Sequence, residues 1–382
     1  MLSSLLGVRM TLLIGPTIAV PAPEPILDAL SSVEVTLADR GRDAFQLTFS
    51  LGRGPSDIVD YALLLNPLLR PFNRIVIQIW MGVTPEILID GFITRHEVQS
   101  SNDPGMSTLV VTGEDIRVMM ALREVSMSYL GMSPDIRVRL ILGRYALYLA
   151  APPVVWPPIP PIAPNVLDQI PAQAGTDLSY IEDLAEQSDY VFYVDPGPAP
   201  MVNIAYWGPE NRLGIPQSAL SVNMGADSNV DSLGFAYDAL GPTTVLGMMQ
   251  DTDLGITLPV VTVAPVQPPL APIPAMLAQQ PNVRSVLPRN TGNVSYAQAL
   301  AQAQAVTNAS SNAVSVEGEL DALRYGSLLR ARRLVGVRGA GFQYDGFYYV
   351  KRVTHRIKKG IYKQSFSLRR EGFGPISPVV VP

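Results

Sequence analysis

Cysteine is absent from the 382 residues, which excludes disulfides and any thiolate-held metal or cluster. Histidine is nearly absent. His96 and His355 are the only two, and no H-E-x-x-H or other close pair exists, so a histidine-based metal site is not expected. No uninterrupted apolar run reaches the ~18 residues a membrane helix needs, so no membrane span is expected. P-loop and G-x-S-x-G elements are also missing. Gly336, Gly339 and Gly341 invert the dinucleotide-binding spacing and precede strands rather than a helix, so they read as turn chemistry. Asp90, Glu97, Glu114 and Asp115 are the nearest thing to paired acids. With 33 acidic residues in the chain, chance proximity accounts for them. No catalytic, metal-binding or cofactor-binding residue and no cofactor is assigned, and the chain is not read as an enzyme.

Charge is sparse at 16% of residues, and its placement is uneven. All four lysines lie between 351 and 363. Nine arginines accompany them in 324–370, against one acid, Asp345, for a local net charge of +12. The rest of the chain is acidic enough to bring the whole to −5. Such polarity implies either an acidic partner or an acidic half within the same assembly.

Against those absences stand 47% hydrophobic residues, 35 prolines and 30 glycines, a composition for strands joined by turns and extended loops. The length suits two or three domains. Residues 1–25 are apolar but lack a charged n-region and are broken by Arg9 and Gly15-Pro16. They read as a mature N-terminal strand or arm. In 32–125, Val33, Val35 and Leu37, then Phe45, Leu47 and Phe49, alternate with polar residues. Further strands are expected at 75–80, 87–89 and 109–111, giving a small barrel or sandwich. A helix is expected over 134–149, with Ile136, Leu140, Ile141 and Tyr145 on its buried face. A proline-rich connector at 151–171 and a helix-then-strand unit over 176–194 follow, the latter with Leu178, Ile181, Leu184 and Ala185 inside. The segment 258–288 reads as a proline-laden loop. The Ala/Gln-rich helix over 296–307 is expected to pack lightly through Leu300 and Val306.

The C-terminal stretch 325–373 reads as a β-meander. Asp345-Gly346 and Lys359-Gly360 supply its turns. Phe347, Tyr349, Val353 and Ile357 are expected on one face, and Arg352, Thr354 and Arg356 on the other. His355 falls on the apolar face, as a satisfied core or interface histidine.

The run from Val316 to Gly372, with YDG-x-YYV, V-T-H and a following F-x-L-R strand, resembles the C-terminal end of the phage late control D proteins. These are baseplate hubs of contractile tails, similar to the hub portion of type VI secretion spike proteins. The segment S-x-I-E-x-L-A-E-x-x-x-Y-x-F-Y-V at 179–194 is similar to an internal signature of the same family. The resemblance implies a mainly β fold with minor α (α+β): two tube-like antiparallel β-barrel domains, a small α/β insertion and long Pro-rich loops. The expected divisions are 1–125, the first barrel; 126–230, the insertion; 231–313, a strand, loop and helix; and 314–382, the second barrel with a tail. It further implies a structural hub, assembled in the bacterial cytoplasm, that adapts a six-fold tail tube to a three-fold spike. Its partners would be two further copies (a homotrimer), the tail tube protein, a separate spike protein and other baseplate proteins. Arg330, Arg332, Arg333, Arg352, Arg356, Lys358, Lys359 and Lys363 are the candidate contacts to neighbouring subunits or partners. The alternative is a nucleic-acid-binding module built on the basic meander. Base stacking would need aromatics on the basic face, and strand parity puts most of them on the other.

Overall fold

A computed structural model describes residues 8–52, 63–82, 85–103, 106–158, 170–251, 255–279, 282–288 and 295–376. The first residues of the expected N-terminal arm, most of the connector at 159–169, the loop tip at 104–105 and the last six residues lie outside them.

Twelve strands carry the architecture. The first six are β1 (Val8–Gly15), β2 (Leu30–Ala38), β3 (Ala44–Ser50), β4 (Arg74–Met81), β5 (Pro85–Gln99) and β6 (Thr108–Asp115). The second six are β7 (Gln217–Ser221), β8 (Ser232–Tyr237), β9 (Val314–Asp321), β10 (Leu334–Arg338), β11 (Gly346–Lys358) and β12 (Ile361–Arg370). With the short strand Val20–Pro21 they form one 13-stranded sheet. Alternation makes the sheet two-faced. Val33, Val35, Phe45, Leu47 and Phe49 are buried, while Glu34, Thr36, Gln46 and Thr48 lie on the wetter side. Two closed barrels are not present among the described residues. The edge of β2 is instead spent on the second half of β11, from Arg352↔Ala38 to Lys358↔Ser32. A single core cluster runs through both halves, from Val33 and Leu47 to Val316 and Val353.

The two sets of six strands repeat one plan. The order is β2-β3-β6-β5-β4-β1 in the first and β8-β9-β12-β11-β10-β7 in the second. Position by position, each strand matches the one six numbers later. The register agrees at the level of residues. Gly113 of β6 faces Phe45, which faces Val35. Leu368 of β12 faces Val316, which faces Phe235. Opposite β6 and β12 respectively, β5 and β11 each carry one extra residue, after Ile93 and after Val350. Just upstream, Phe72 and Arg332 both sit at φ 65°. Phe72 N donates to Ile93 O (2.8 Å) and Ile93 N to Asn73 O (2.9 Å). Arg332 N donates to Val350 O (2.8 Å) and Val350 N to Arg333 O (2.9 Å). The repeats differ at one edge, where β1 runs antiparallel to β4 and β7 parallel to β10.

The extra residue in β11 corrects the expected faces. The bulge lies at Lys351, between the pairs Val350↔Leu368 and Arg352↔Ser367. A bulge shifts side-chain parity by one residue. Tyr348, Val350, Val353 and Ile357 therefore share the main core, while Tyr349 and Phe347 pack on the opposite face with Leu270 and Leu334.

One insertion, residues 116–216, lies between the two repeats, and another, residues 238–313, lies between β8 and β9 of the second repeat. Residues 116–216 hold α1 (Pro134–Gly143), α2 (Asp177–Gln187) and a three-stranded sheet around buried Trp207. The sides of α2 are as expected, with Thr176 Oγ1 accepting from Ser179 N as the cap (3.1 Å). The face of α1 is not. Val138, Ile141 and Leu142 are buried, while Ile136 and Leu140 are exposed. Arg137 lies inward too, because its guanidinium reaches the Tyr180 hydroxyl (2.7 Å). The loop at 258–288 contains short strands at Thr257–Val261 and Arg284–Val286, both paired with Thr243–Gln250. α3 (Tyr296–Ser310) is held by a capping box between Ser295 and Gln298. It packs on this unit through Ala299 and Ala303. Leu300 and Val306 point outward, because the small alanine face allows the closer approach.

Candidate functional site

β11 is where the two repeats meet, and the basic block surrounds it. Of the eight candidate cations, four find acids inside the chain. Arg330 pairs with Glu86 (2.5 Å) and Arg356 with Glu34 (3.3 Å). Lys363 lies between Asp231 (3.0 Å) and Glu319 (3.1 Å). Arg332 is buried. Arg333, Arg352, Lys358 and Lys359 are exposed and form no ion pair among the described residues. The charge split read from the sequence is thus met partly within the chain, by first-repeat acids at Arg330 and Arg356 and by second-repeat acids at Lys363.

Arg332 is the centre of a buried network. Its Nε and Nη2 donate to the Ala38 carbonyl (3.0 and 2.7 Å), and Nη2 also donates to the Asp43 carboxylate (2.5 Å). Nη1 donates to Asp195, and the guanidinium stacks over the Tyr193 ring at 4.3 Å. Burial works against this cation, yet Asp43 and Asp195 beside it hold its pKa above the ordinary arginine value. The network ties three regions: β2–β3 of the first repeat, the insertion and the second repeat. A second chain of charges continues it, with Arg369 on Asp39 and Glu210, and Arg212 between Glu210 (3.1 Å) and Glu371 (3.0 Å). Neither network was foreseen from the sequence. Its members are distant in the chain and share no motif.

The acids weighed for catalysis are dispersed by their own cations. Asp90 is held by Arg74 (2.7 Å), Asp115 by Arg117 (2.6 Å), Glu114 by Arg42 (2.5 Å) and Glu97 by Arg95 (3.1 Å). His355 is buried, as expected. The Tyr362 hydroxyl lies 2.9 Å from its Nδ1 and Gln364 Nε2 lies 3.3 Å away. Burial, aided by Arg330, lowers its pKa to about 3, so the ring is neutral at physiological pH. Among the described residues no group of acids and histidines could hold a metal ion. No helix among them is long and apolar enough to cross a membrane. The shallow hollows at the junction are polar and are lined by Glu34, Thr36, Thr354 and Arg356, among others. Tyr348, Tyr349, Tyr362 and Phe366 are buried and Phe347 half-buried, so these rings offer no stacking platform on the basic face.

This fold, a repeated and mostly antiparallel sheet with an α/β insertion, is shared with solved tail proteins. The chain is similar to the tail protein from Neisseria meningitidis MC58, with TM-score 0.61 and 12% identity, over 96% of this chain and 98% of that one. It is equally similar to the 43 kDa tail protein of prophage MuSo2 from Shewanella oneidensis, with TM-score 0.62 and 12% identity over 95% and 98%. A chain of the Francisella PdpA–VgrG complex matches at TM-score 0.55 and 10% identity. That match covers 98% of this chain and 54% of the other, so this chain spans about half its length. No protein-family model matches the sequence, and no curated protein does.

Proposed function

We propose that the protein is a structural, non-enzymatic hub of a contractile phage tail or injection system, acting as a homotrimer that adapts a six-fold tail tube to a three-fold spike. The observation that carries this reading is the internal repeat. Each chain holds two six-strand units of the same order and register, so three chains hold six similar units. A ring of them presents a near six-fold face to a tube protein and a three-fold one to a spike protein, the two further partners of this reading. A closed ring also removes open sheet edges by pairing them. The similarity to tail proteins along almost their whole length supports it.

Within this reading Arg333, Arg352, Lys358 and Lys359 are the cations left for acidic surfaces of neighbouring subunits or partners. Arg330, Arg356 and Lys363 remain candidates through their exposed portions, whereas Arg332 acts within the chain. Exposed pairs contribute only ~0–1 kcal/mol each, so single substitutions change little. The double variant Arg352→Glu/Arg356→Glu is expected to fold normally and to assemble less well, most markedly at low ionic strength, where the introduced repulsion is least screened. Normal assembly at all salt concentrations, combined with lost binding to DNA or RNA, would favour the nucleic-acid alternative instead.

A further inference from the structure

Two of the sheet edges that have no strand beside them among the described residues match each other in kind. One is the outer edge of β8. The other belongs to the far arm of β5, Arg95–Gln99, on the side away from β6. Within the chain the repeat shows what such edges do. The far arm of β11, Arg352–Lys358, is the counterpart of the β5 arm, and it pairs antiparallel with β2, the counterpart of β8. Each chain therefore contains one completed arm-to-edge joint, plus one unused arm and one unused edge of the same two kinds.

From this we infer that the Arg95–Gln99 arm of one copy adds as a strand to the free edge of β8 in the next copy, in the register that β11 uses on β2. The inference rests on the ring reading above and adds which edges join. The register follows from the ladder. Thr354↔Thr36 maps to Glu97 against Ala236, and Arg352↔Ala38 maps to Arg95 against Asp238. His355↔Val35 maps to Val98 against Phe235. The matched surfaces are complementary: an arginine meets an aspartate, and Val98, 42% exposed in the free chain, meets a phenylalanine. Charged residues on an edge commonly discourage pairing. They do not do so in the intramolecular joint, where Arg356 pairs with Glu34. Because arm and edge are different surfaces, the contact is head-to-tail, so it generates a ring or a filament rather than a two-fold dimer.

The absence of cysteine makes the test clean. The full-length variant Glu97→Cys/Ala236→Cys places one thiol on each proposed edge. Thr36→Cys/Thr354→Cys places the pair on the intramolecular joint, where the native hydroxyl oxygens are 3.0 Å apart, and calibrates the geometry. After mild oxidation, a denaturing gel of the first variant is expected to show mostly two- and three-chain bands, with none from either single variant. Bands continuing beyond three chains would support the joint and contradict a closed three-fold ring. A trimer in native mass spectrometry, with the calibration pair linked and no link between chains, would overturn the joint and leave the trimer standing. A monomer without cross-links would overturn both. If the first pair fails to fold, Arg95→Cys/Asp238→Cys tests the same register one pair along the same face.

Discussion

Arg332 illustrates how a residue in a basic run can serve the interior. The sequence around it reads as a solvated cationic strip, but its partners Asp43 and Asp195 come from far upstream. Removing one member of such a network leaves a buried charge uncompensated. Arg332→Met is expected to cost about 3–5 kcal/mol in denaturant unfolding, with Asp43→Leu added to it recovering part of the loss. Arg332→Lys should restore little, because an ammonium cannot reproduce the fork of bonds to Ala38 and Asp43. His355 was legible by strand parity, as were Val353 and Ile357, whereas the Lys351 bulge puts Phe347 and Tyr349, upstream of it, on the other face. Its lowered pKa sets a sign: the folded state resists protonation, so the unfolded state takes up the proton first as pH falls below about 6.5. Stability is therefore lost on acidification through that range toward pH 3, by on the order of a few kcal/mol. His355→Gln is expected to flatten this part of the profile in urea unfolding between pH 7 and 4. An unchanged slope would assign the acid sensitivity to other groups.

At the scale of elements, alternation made β2, β3 and β12 readable, because each has one dry face and one wet one. The bulge in β11 was not readable, since Lys351 is one extra residue in a run without glycine or proline. The buried face of α1 was misread because Arg137 snorkels inward to Tyr180 and two exposed apolar residues mimic a stripe. The repeat itself is nearly silent in sequence. Equivalent positions such as Gly113 and Leu368, or Phe72 and Arg332, have no side-chain chemistry in common. Leu68-Leu69-Arg70 and Leu328-Leu329-Arg330 match as a run, and otherwise identities are scattered, as at Arg95 and Arg352. Gly113 shows why identity drifts: a Cβ there would lie 2.2 Å from the Phe45 ring and 2.3 Å from Phe92 O, so this repeat fills the space with Phe45 instead. Gly113→Ala is expected to destabilise by about 1–3 kcal/mol through overpacking, measured as a fall in thermal midpoint. No change would mean that Phe45 swings aside without cost.

For the whole molecule, the pattern of strands and the resemblance in the C-terminal meander led to a tail-hub fold, and the structure supports that at the level of fold. The expected pair of barrels became one continuous sheet with a shared core, because the arm of β11 crosses onto β2. That crossing is a tertiary pairing between residues over 300 positions apart, which local pattern cannot encode. It also gives the central claim its form: two like units per chain, joined in a way that other copies can continue. Electron cryomicroscopy of the purified chain, alone and with tube and spike proteins, tests this most directly. The account predicts a ring of three chains with six similar lobes around a central axis. Isolated monomers in both samples, or rings whose lobes number one per chain, would contradict it.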